Sequence, residues 1–443
     1  MPGWRDIPAV IDLAEMVGRH GQSPPRALTA ACTASRYAIR AVLEQALRDE
    51  TVALIESTAG QVNPSRGYSG LTPAAFARQV RQLADAAGLP RHRLLLGADH
   101  LGPYPWCRDK AEHALAKAKE LAVACVAAGY QKIHLDTASP CVDDPREPDG
   151  SLPLELICQR SVALCRVAEE TAHQYALALP WYVIGSDVPL PGGQDGQSDS
   201  APVSHVVHVR ETLSAYRKAF ESAGLEEAWQ RVVALVVNTG ADFSPRVVHP
   251  YDAERMQPLV ALIRREGKRV FEAHSTDFQT PAALSRMVAD HCGILKVGPA
   301  LTYAMREALF ELAAVEEELL AGRRGTTRSC LPETMERLML ADPRYWQAYY
   351  RGSAAELKRL RRQALSDRIR YYWARPEAEA ALQRLMANLR QYPPSTELLQ
   401  KHLSQTADHS DGIRRSSDPE RIVLERIAAV AAVYNRACSP SVP

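Results

Sequence analysis

Short apolar runs, separated by longer stretches of helical periodicity, organise most of this chain. The runs are Ala27–Thr33, Thr51–Glu56, Leu94–Leu96, Lys132–Asp136, Trp181–Asp187, Val232–Asn238, Lys268–His274 and Gly293–Gly298. Each has strand length, and their nearly continuous apolar character is that of strands buried on both faces. Between them, apolar positions recur at helical spacing over Tyr37–Glu50, from Thr72 onward, over about 109–128, and over Leu154–Tyr175, Val207–Ala223 and Ala300–Ala321. Thr72-Pro73 reads as a cap followed by a first-turn proline, and Gly129 as a helix C-cap. A further amphipathic helix is expected over 5–22, ended by Pro24-Pro25.

Eight strand-then-helix units in roughly 320 residues predict α/β architecture, a parallel (β/α)8 TIM barrel spanning 1–322. A doubly wound open sheet is the alternative. It is disfavoured because no Gly-rich dinucleotide fingerprint follows the first strand. From about Arg323 the pattern turns purely helical, so 323–443 reads as a C-terminal helical extension. The Ser/Asp-rich segment 404–418 reads as a connection within it. Val188 to Ser204 is too rich in Pro, Gly, Ser and Asp to be regular, and a loop of that length reads as a lid or binding loop.

Composition narrows the classes. The chain of 443 residues is 46% hydrophobic and 24% charged, ordinary for a globular protein. Lys+Arg 53 against Asp+Glu 52 gives no bulk charge that would draw nucleic acid or a membrane surface. No apolar run spans a bilayer and the N-terminus lacks a signal-peptide core, so a cytoplasmic protein is expected. The nine cysteines form no CxxC pair, which suits reduced thiols.

The strands end in chemistry. Glu56, Asp99-His100, Asp136, Asp187, Asn238, His274 and Lys296 stand at or near their C-terminal ends, the edge where a barrel carries its site. Two histidines and several carboxylates on one rim suit a divalent metal, zinc by the mix of N and O donors, with Mn, Co or Ni also fitting. Such an ion polarises a carbonyl while a carboxylate moves the proton. His100, His274, Asp187 and Cys141, five residues beyond Asp136, are the candidate ligands. Asp99, Asp136 and Asp187 are the candidate catalytic acids. Glu56, Asn238, Ser275, Asp277, Lys296 and Gly298 are candidates for holding substrate, with Ser275, Lys296 and Gly298 placed for a phosphate. His134 shares a strand face with Asp136. A histidine inside an apolar strand is more often a satisfied core residue, so it ranks behind the others.

Several longer motifs resemble a known family. They are Gly-Ala-Asp-His-Leu-Gly-Pro (97–103), His-Leu-Asp-Thr-Ala-Ser-Pro-Cys (134–141), Val-Ile-Gly-Ser-Asp-Val-Pro (183–189), Phe-Glu-Ala-His-Ser-Thr-Asp-Phe-Gln-Thr (271–280), Leu-Lys-Val-Gly-Pro-Ala-Leu-Thr (295–302) and Ser-Asp-Arg-Ile-Arg-Tyr-Tyr-Trp (366–373). Together they look like the Z-type subunit of tagatose-1,6-bisphosphate aldolase, over about residues 8–436. That family was long labelled a tagatose-6-phosphate kinase, and it includes proteins described as fructose or tagatose 4-epimerases. It is itself similar to class II fructose-bisphosphate aldolases, metal-dependent (β/α)8 barrels.

The resemblance implies that Asp99 matches the aldolases' catalytic Asp, His100 their first metal ligand and His274 a seventh-strand metal His. Asp187 stands where an acidic ligand ends the fifth strand, although the Z-type family usually has Glu there. The sixth strand ends Asn238-Thr-Gly-Ala-Asp242, without the His that the aldolases carry. Asp187, Asp242 or Cys141 is then needed to complete a metal shell. The kinase label finds no Walker loop and no kinase Gly-rich loop.

Two functions follow from the resemblance. One is a metal-dependent isomerase of carbohydrate metabolism that acts on ketohexoses or their phosphates, inverting C4 by retro-aldol and aldol steps. The other is a non-catalytic partner that supports a separate aldolase subunit. The expected partners are a sugar or sugar phosphate and either a second copy of the chain or that catalytic subunit.

Overall fold

The computed structural model describes residues 25–185, 201–403 and 418–439. The helix expected over 5–22, most of the loop 188–204, most of the connection 404–418, and Asp187 fall outside these residues. Within them, the expected strands form one closed barrel. They are β1 (Leu28–Cys32), β2 (Ala53–Thr58), β3 (Leu94–Leu101), β4 (Lys132–Leu135), β5 (Trp181–Ile184), β6 (Val232–Val237), β7 (Val270–Ala273) and β8 (Cys292–Val297). Neighbours pair in parallel all the way round, with β1 against both β2 and β8. This is the (β/α)8 barrel.

Helices α1 (Arg36–Arg48), α2 (Pro73–Ala87), α3 (Ala111–Ala127), α4 (Leu154–Gln174), α5 (Val206–Ser222), α6 (Ala253–Glu266), α7 (Pro281–Ala289) and α8 (Pro299–Leu319) follow the strands in turn. Their starts obey local chemistry. Thr72 and Thr280 each accept a hydrogen bond from the backbone N–H three residues on, with proline in the first turn. Gly129 lies beyond α3 at φ +83, the left-handed conformation that glycine adopts at no steric cost.

The helical extension comprises α9 (Leu331–Ala341), α10 (Ala354–Gln363), α11 (Pro376–Gln391), α12 (Thr396–His402) and α13 (Pro419–Cys438). It is separate from the barrel in sequence but not in space. Helix α13 packs on α1, α7 and α8. Arg421 pairs with Glu44 at 2.6 Å, Arg426 with Glu311 at 2.9 Å, and the Tyr434 hydroxyl donates to the Thr276 carbonyl at 2.7 Å. The segment before α11 returns over the C-terminal mouth of the barrel and joins its site.

The barrel interior changes character from bottom to top. Leu28, Leu54, Leu95, Val183, Val270 and Ile294 form an apolar lower layer. Two residues further along each strand, and therefore on the same face, Leu54 gives way to Glu56, Val270 to Glu272 and Ile294 to Lys296. Lys132 comes from β4. These four charged side chains are at most 5% exposed.

Candidate active site

The charged layer is a closed ion-pair network. Lys132 Nζ lies 2.6 Å from Glu56 Oε1 and also pairs with Glu272. Lys296 pairs with Glu56 and lies 2.9 Å from Asp99 Oδ2. Burial disfavours the charge on both lysines, but the surrounding carboxylates outweigh it and raise their pKa values. Glycine makes room for this layer. A Cβ at Gly97 would sit 2.5 Å from Glu56 Oε1.

Above the network stand three imidazoles, each paired with its own carboxylate. His100 Nδ1 lies 2.8 Å from Asp136 Oδ2, His134 Nδ1 3.0 Å from Asp99 Oδ1, and His274 Nε2 2.9 Å from Glu272 Oε1. The ring centres are 4.9 Å apart for His100–His274, and 5.2 Å for both His100–His134 and His134–His274. Imidazoles bound at about 2.1 Å to one tetrahedral ion would hold their ring centres ~5 Å apart.

Backing each ligand with a carboxylate is the usual device for fixing its tautomer, and His134 Nε2 is buried with no hydrogen-bond partner. A divalent ion therefore fits this rim. One donor atom each from Asp99, His134, Glu272 and His274 also comes within 4.8 Å of the others. Glu272 is already neutralised by Lys132, so the three imidazoles are the better-suited set.

How β3 presents Asp99 and His100 together depends on local backbone. Adjacent residues of a regular strand face opposite sides. Here β3 runs on to Leu101, its register with β4 shifts between Ala98 and Leu101, and His100 takes φ +48. The bulge turns both side chains to the rim. Gly102 is required just beyond it, because a Cβ there would fall 1.6 Å from the Asp136 carbonyl oxygen.

The electrostatics follow from burial and pairing. Burial pushes the Asp99 carboxyl up, but His100 and Lys296 outweigh it and hold the pKa well below the ordinary range. Burial pushes His100 down, yet Asp99 and Asp136 leave it raised. His274 is pushed down to about 4 by burial, so its neutral, ligating form prevails. Asp277 is raised by burial to about 6, while its Oδ1 accepts from the backbone N–H groups of Gly298 (3.0 Å) and Ala300 (2.7 Å) at the start of α8.

These groups open onto a cavity of about 810 Å³, within the range of small-molecule sites. Of the residues singled out from sequence, Asp99, His100, His274, Ser275, Asp277, Lys296 and Gly298 line it, and Asp136 stands behind His100. Glu56 does not reach it. Its carboxylate is fully buried between two lysines, so it orders the layer beneath and cannot touch a substrate in the cavity. Asn238 binds Ser204 through its backbone, and its side chain is not among those lining the cavity.

Cys141 as a ligand is corrected. It lies past the strand end, where its N–H donates to Asp144 at 2.6 Å and Asp144 pairs with Arg160, and unlike His100 and His274 it does not line the cavity. Asp242 sits in a two-residue ladder with His249 and does not line the cavity either. β4, not β6, brings a third buried imidazole, His134, beside His100 and His274. Lys132, His134 and Glu272 had a signal in sequence: polar residues at the interior register of otherwise apolar strands, two residues apart in the case of Lys132 and His134.

A family model for D-tagatose-1,6-bisphosphate aldolase subunit GatZ/KbaZ-like proteins matches residues 13–439. The chain belongs to the GatZ/KbaZ-like family. A solved structure from Sinorhizobium meliloti 1021, described as a probable tagatose 6 phosphate kinase, is 38% identical. It covers 93% of this chain and 100% of its own, with a TM-score of 0.83. Two aldolases match more distantly. The YdjI aldolase of Escherichia coli K12 is 10% identical over 87% of this chain and 98% of its own, with a TM-score of 0.40. The fructose-bisphosphate aldolase of Campylobacter jejuni is 14% identical over 86% of this chain and 92% of its own, with a TM-score of 0.43. Membership of the GatZ/KbaZ-like family makes the function aldolase-related. Among the described residues, no helix is long and apolar enough to cross a membrane.

Proposed function

We propose that this chain is a divalent-metal-dependent, class II aldolase-like enzyme of ketohexoses or their phosphates. Its reaction is C4 epimerisation between the fructose and tagatose configurations by retro-aldol cleavage and re-addition. The observation that carries this reading is the cluster of three carboxylate-backed imidazoles with ring centres 4.9–5.2 Å apart, two of which, His100 and His274, line a cavity with room for a sugar phosphate. Packing alone gains nothing from burying three imidazoles and a network of alternating charges.

His100, His134 and His274 would hold the metal, with zinc suited best to nitrogen donors and Mn, Co or Ni also compatible. When bound, the ion supplies Lewis-acid polarisation of the ketose carbonyl. The chain's own residues do the rest. Lys296 and His134 fix the Asp99 carboxylate in place and keep it ionised. Asp99 takes the proton of the C4 hydroxyl. The C3–C4 bond breaks, its electron pair stays with the C1–C3 fragment, and C4 becomes an aldehyde. Both fragments stay in the cavity while the aldehyde turns. The C1–C3 fragment then adds to the other aldehyde face, and Asp99 returns the proton to the new C4 oxygen. If the fragments leave instead, the net result is aldol cleavage.

A second reading, an accessory subunit of a separate catalytic aldolase, is favoured by the family's own description as a subunit. Elemental analysis of the purified single chain, with assays for tagatose from fructose and tagatose 6-phosphate from fructose 6-phosphate, separates the two. Bound metal and turnover support the enzyme. No metal and no turnover would overturn it in favour of the accessory role.

A further inference from the structure

The outer wall of the cavity comes from the C-terminal extension, through Arg344, Tyr345, Tyr349, Arg368, Arg370 and Tyr371. Within it, the two arginines of the 366–373 motif are used differently. Arg370 donates to the carbonyls of Ser366 and Asp367 and to the Tyr371 hydroxyl at 3.0 Å, so its hydrogen bonds go into building the wall. Arg368 is only 2% exposed. Its Nη1 donates to the Tyr345 carbonyl at 3.0 Å, and its guanidinium lies 3.1 Å from the centre of the Tyr349 ring. Its Nε and Nη2 are buried with no hydrogen-bond partner. Leaving two donors of a buried cation unmatched is costly unless a ligand meets them.

The two arginines make this wall positive. Burial raises the Tyr371 phenol, but the Arg370 and Arg368 charges outweigh it and bring its pKa below the usual tyrosine range.

The second observation lies across the cavity. A (β/α)8 barrel commonly seats a substrate phosphate on the backbone amides after β7 and β8. Here the Asp277 carboxylate already takes the amides of Gly298 and Ala300. A phosphate at that position would meet a carboxyl group and lose its donors.

We propose that the cavity takes a ketohexose carrying a single phosphate, and that Nε and Nη2 of Arg368 receive that phosphate in place of the barrel amides held by Asp277. This rests on the reading of the rim as a ketohexose site. The two free donors of a guanidinium point in parallel and match two oxygens of one phosphate. Tyr349, stacked on the guanidinium, holds its plane. The barrel amides held by Asp277 offer a second phosphate no seat, so the extension sets specificity against both the free sugar and the doubly phosphorylated one.

Calorimetric titration of the full-length, metal-loaded chain with fructose, fructose 6-phosphate and fructose 1,6-bisphosphate tests this. Fructose 6-phosphate should bind about 10- to 100-fold more tightly than fructose, and the bisphosphate no more tightly than the monophosphate. Arg368→Gln should bring fructose 6-phosphate down to the affinity of fructose while fructose itself binds as before. Arg368→Lys preserves the charge and guards against a folding defect. It should retain part of the preference, because a point charge replaces the fork.

His274→Ala should abolish turnover yet leave the preference for the monophosphate, so failure of the catalytic reading is read separately from failure of this site. Equal binding of fructose and fructose 6-phosphate by the wild type, a full preference surviving in Arg368→Gln, or tighter binding of the bisphosphate would each overturn the proposal.

Discussion

The lower and upper halves of the barrel interior are built by the same strands and obey opposite rules. Below, Leu54, Leu95, Val270 and Ile294 fill space with side chains that ask for nothing but contact. One step up the same faces, Glu56, Glu272 and Lys296, with Asp99 and the histidines, fill it with groups that must each find a partner. A single apolar layer would satisfy folding. The buried charges therefore mark where the barrel gives up stability to hold a set of donors at fixed separations.

The contrast can be broken most sharply at Glu56. Glu56→Leu leaves Lys132 and Lys296 without their shared carboxylate, and chemical denaturation should show a loss of about 3–5 kcal/mol, the cost of stranding a buried charge. Leu54→Ala, one step below on the same strand, should cost about 2–5 kcal/mol as a cavity, yet leave metal content at the wild-type level. If Glu56→Leu proves neutral, the upper layer is not an obligate network.

A pH measurement sharpens the same comparison, because only the upper half titrates. Asp277 sits at about 6 in the folded chain, against about 3.9 for an ordinary Asp. The folded state therefore binds this proton more tightly than the unfolded state. Stability from this group is present at low pH and falls as pH rises from about 4 to about 6, by up to ~3 kcal/mol. Asp277→Asn has nothing to titrate there. The wild-type stability relative to this variant should drop across that window, and a flat difference would contradict the burial argument.

The smallest expected effect is at Gly97. A Cβ placed 2.5 Å from Glu56 Oε1 must push that carboxylate off its lysines, so Gly97→Ala should cost about 1–3 kcal/mol. The loss should be smaller in a Glu56→Leu background, and a double-mutant cycle reads that coupling directly.

Much of the architecture was legible in sequence because apolar runs of strand length alternate with helical periodicity. The end of β3 was not. Asp99-His100 reads as a strand terminus, but the strand continues through a bulge that no periodicity encodes. The rim was half legible. Acids and histidines at strand ends are visible, and Asp99, His100 and His274 line the cavity. Lys132, His134 and Glu272 lie inside short apolar strands; the two-residue period puts Lys132 and His134 on one face with Asp136, but whether that face is the barrel interior shows only when the barrel closes. Cys141 failed for the converse reason: closeness along the chain to Asp136 did not bring it to the rim. Arg368 stands in a conspicuous motif, but only the fold shows that residues from the far end of the chain line the barrel's mouth.

In the proposed metal site, His134 from β4 stands in for the imidazole that β6 lacks. The most direct test is metal content per chain, measured on the full-length wild type and on His134→Ala after dialysis against the same trace zinc. The wild type should hold about one equivalent, removable by a chelator together with activity, and the variant should lose at least about tenfold in metal affinity. A wild type that binds no divalent ion, or a His134→Ala variant that holds it as tightly, would contradict that role of His134.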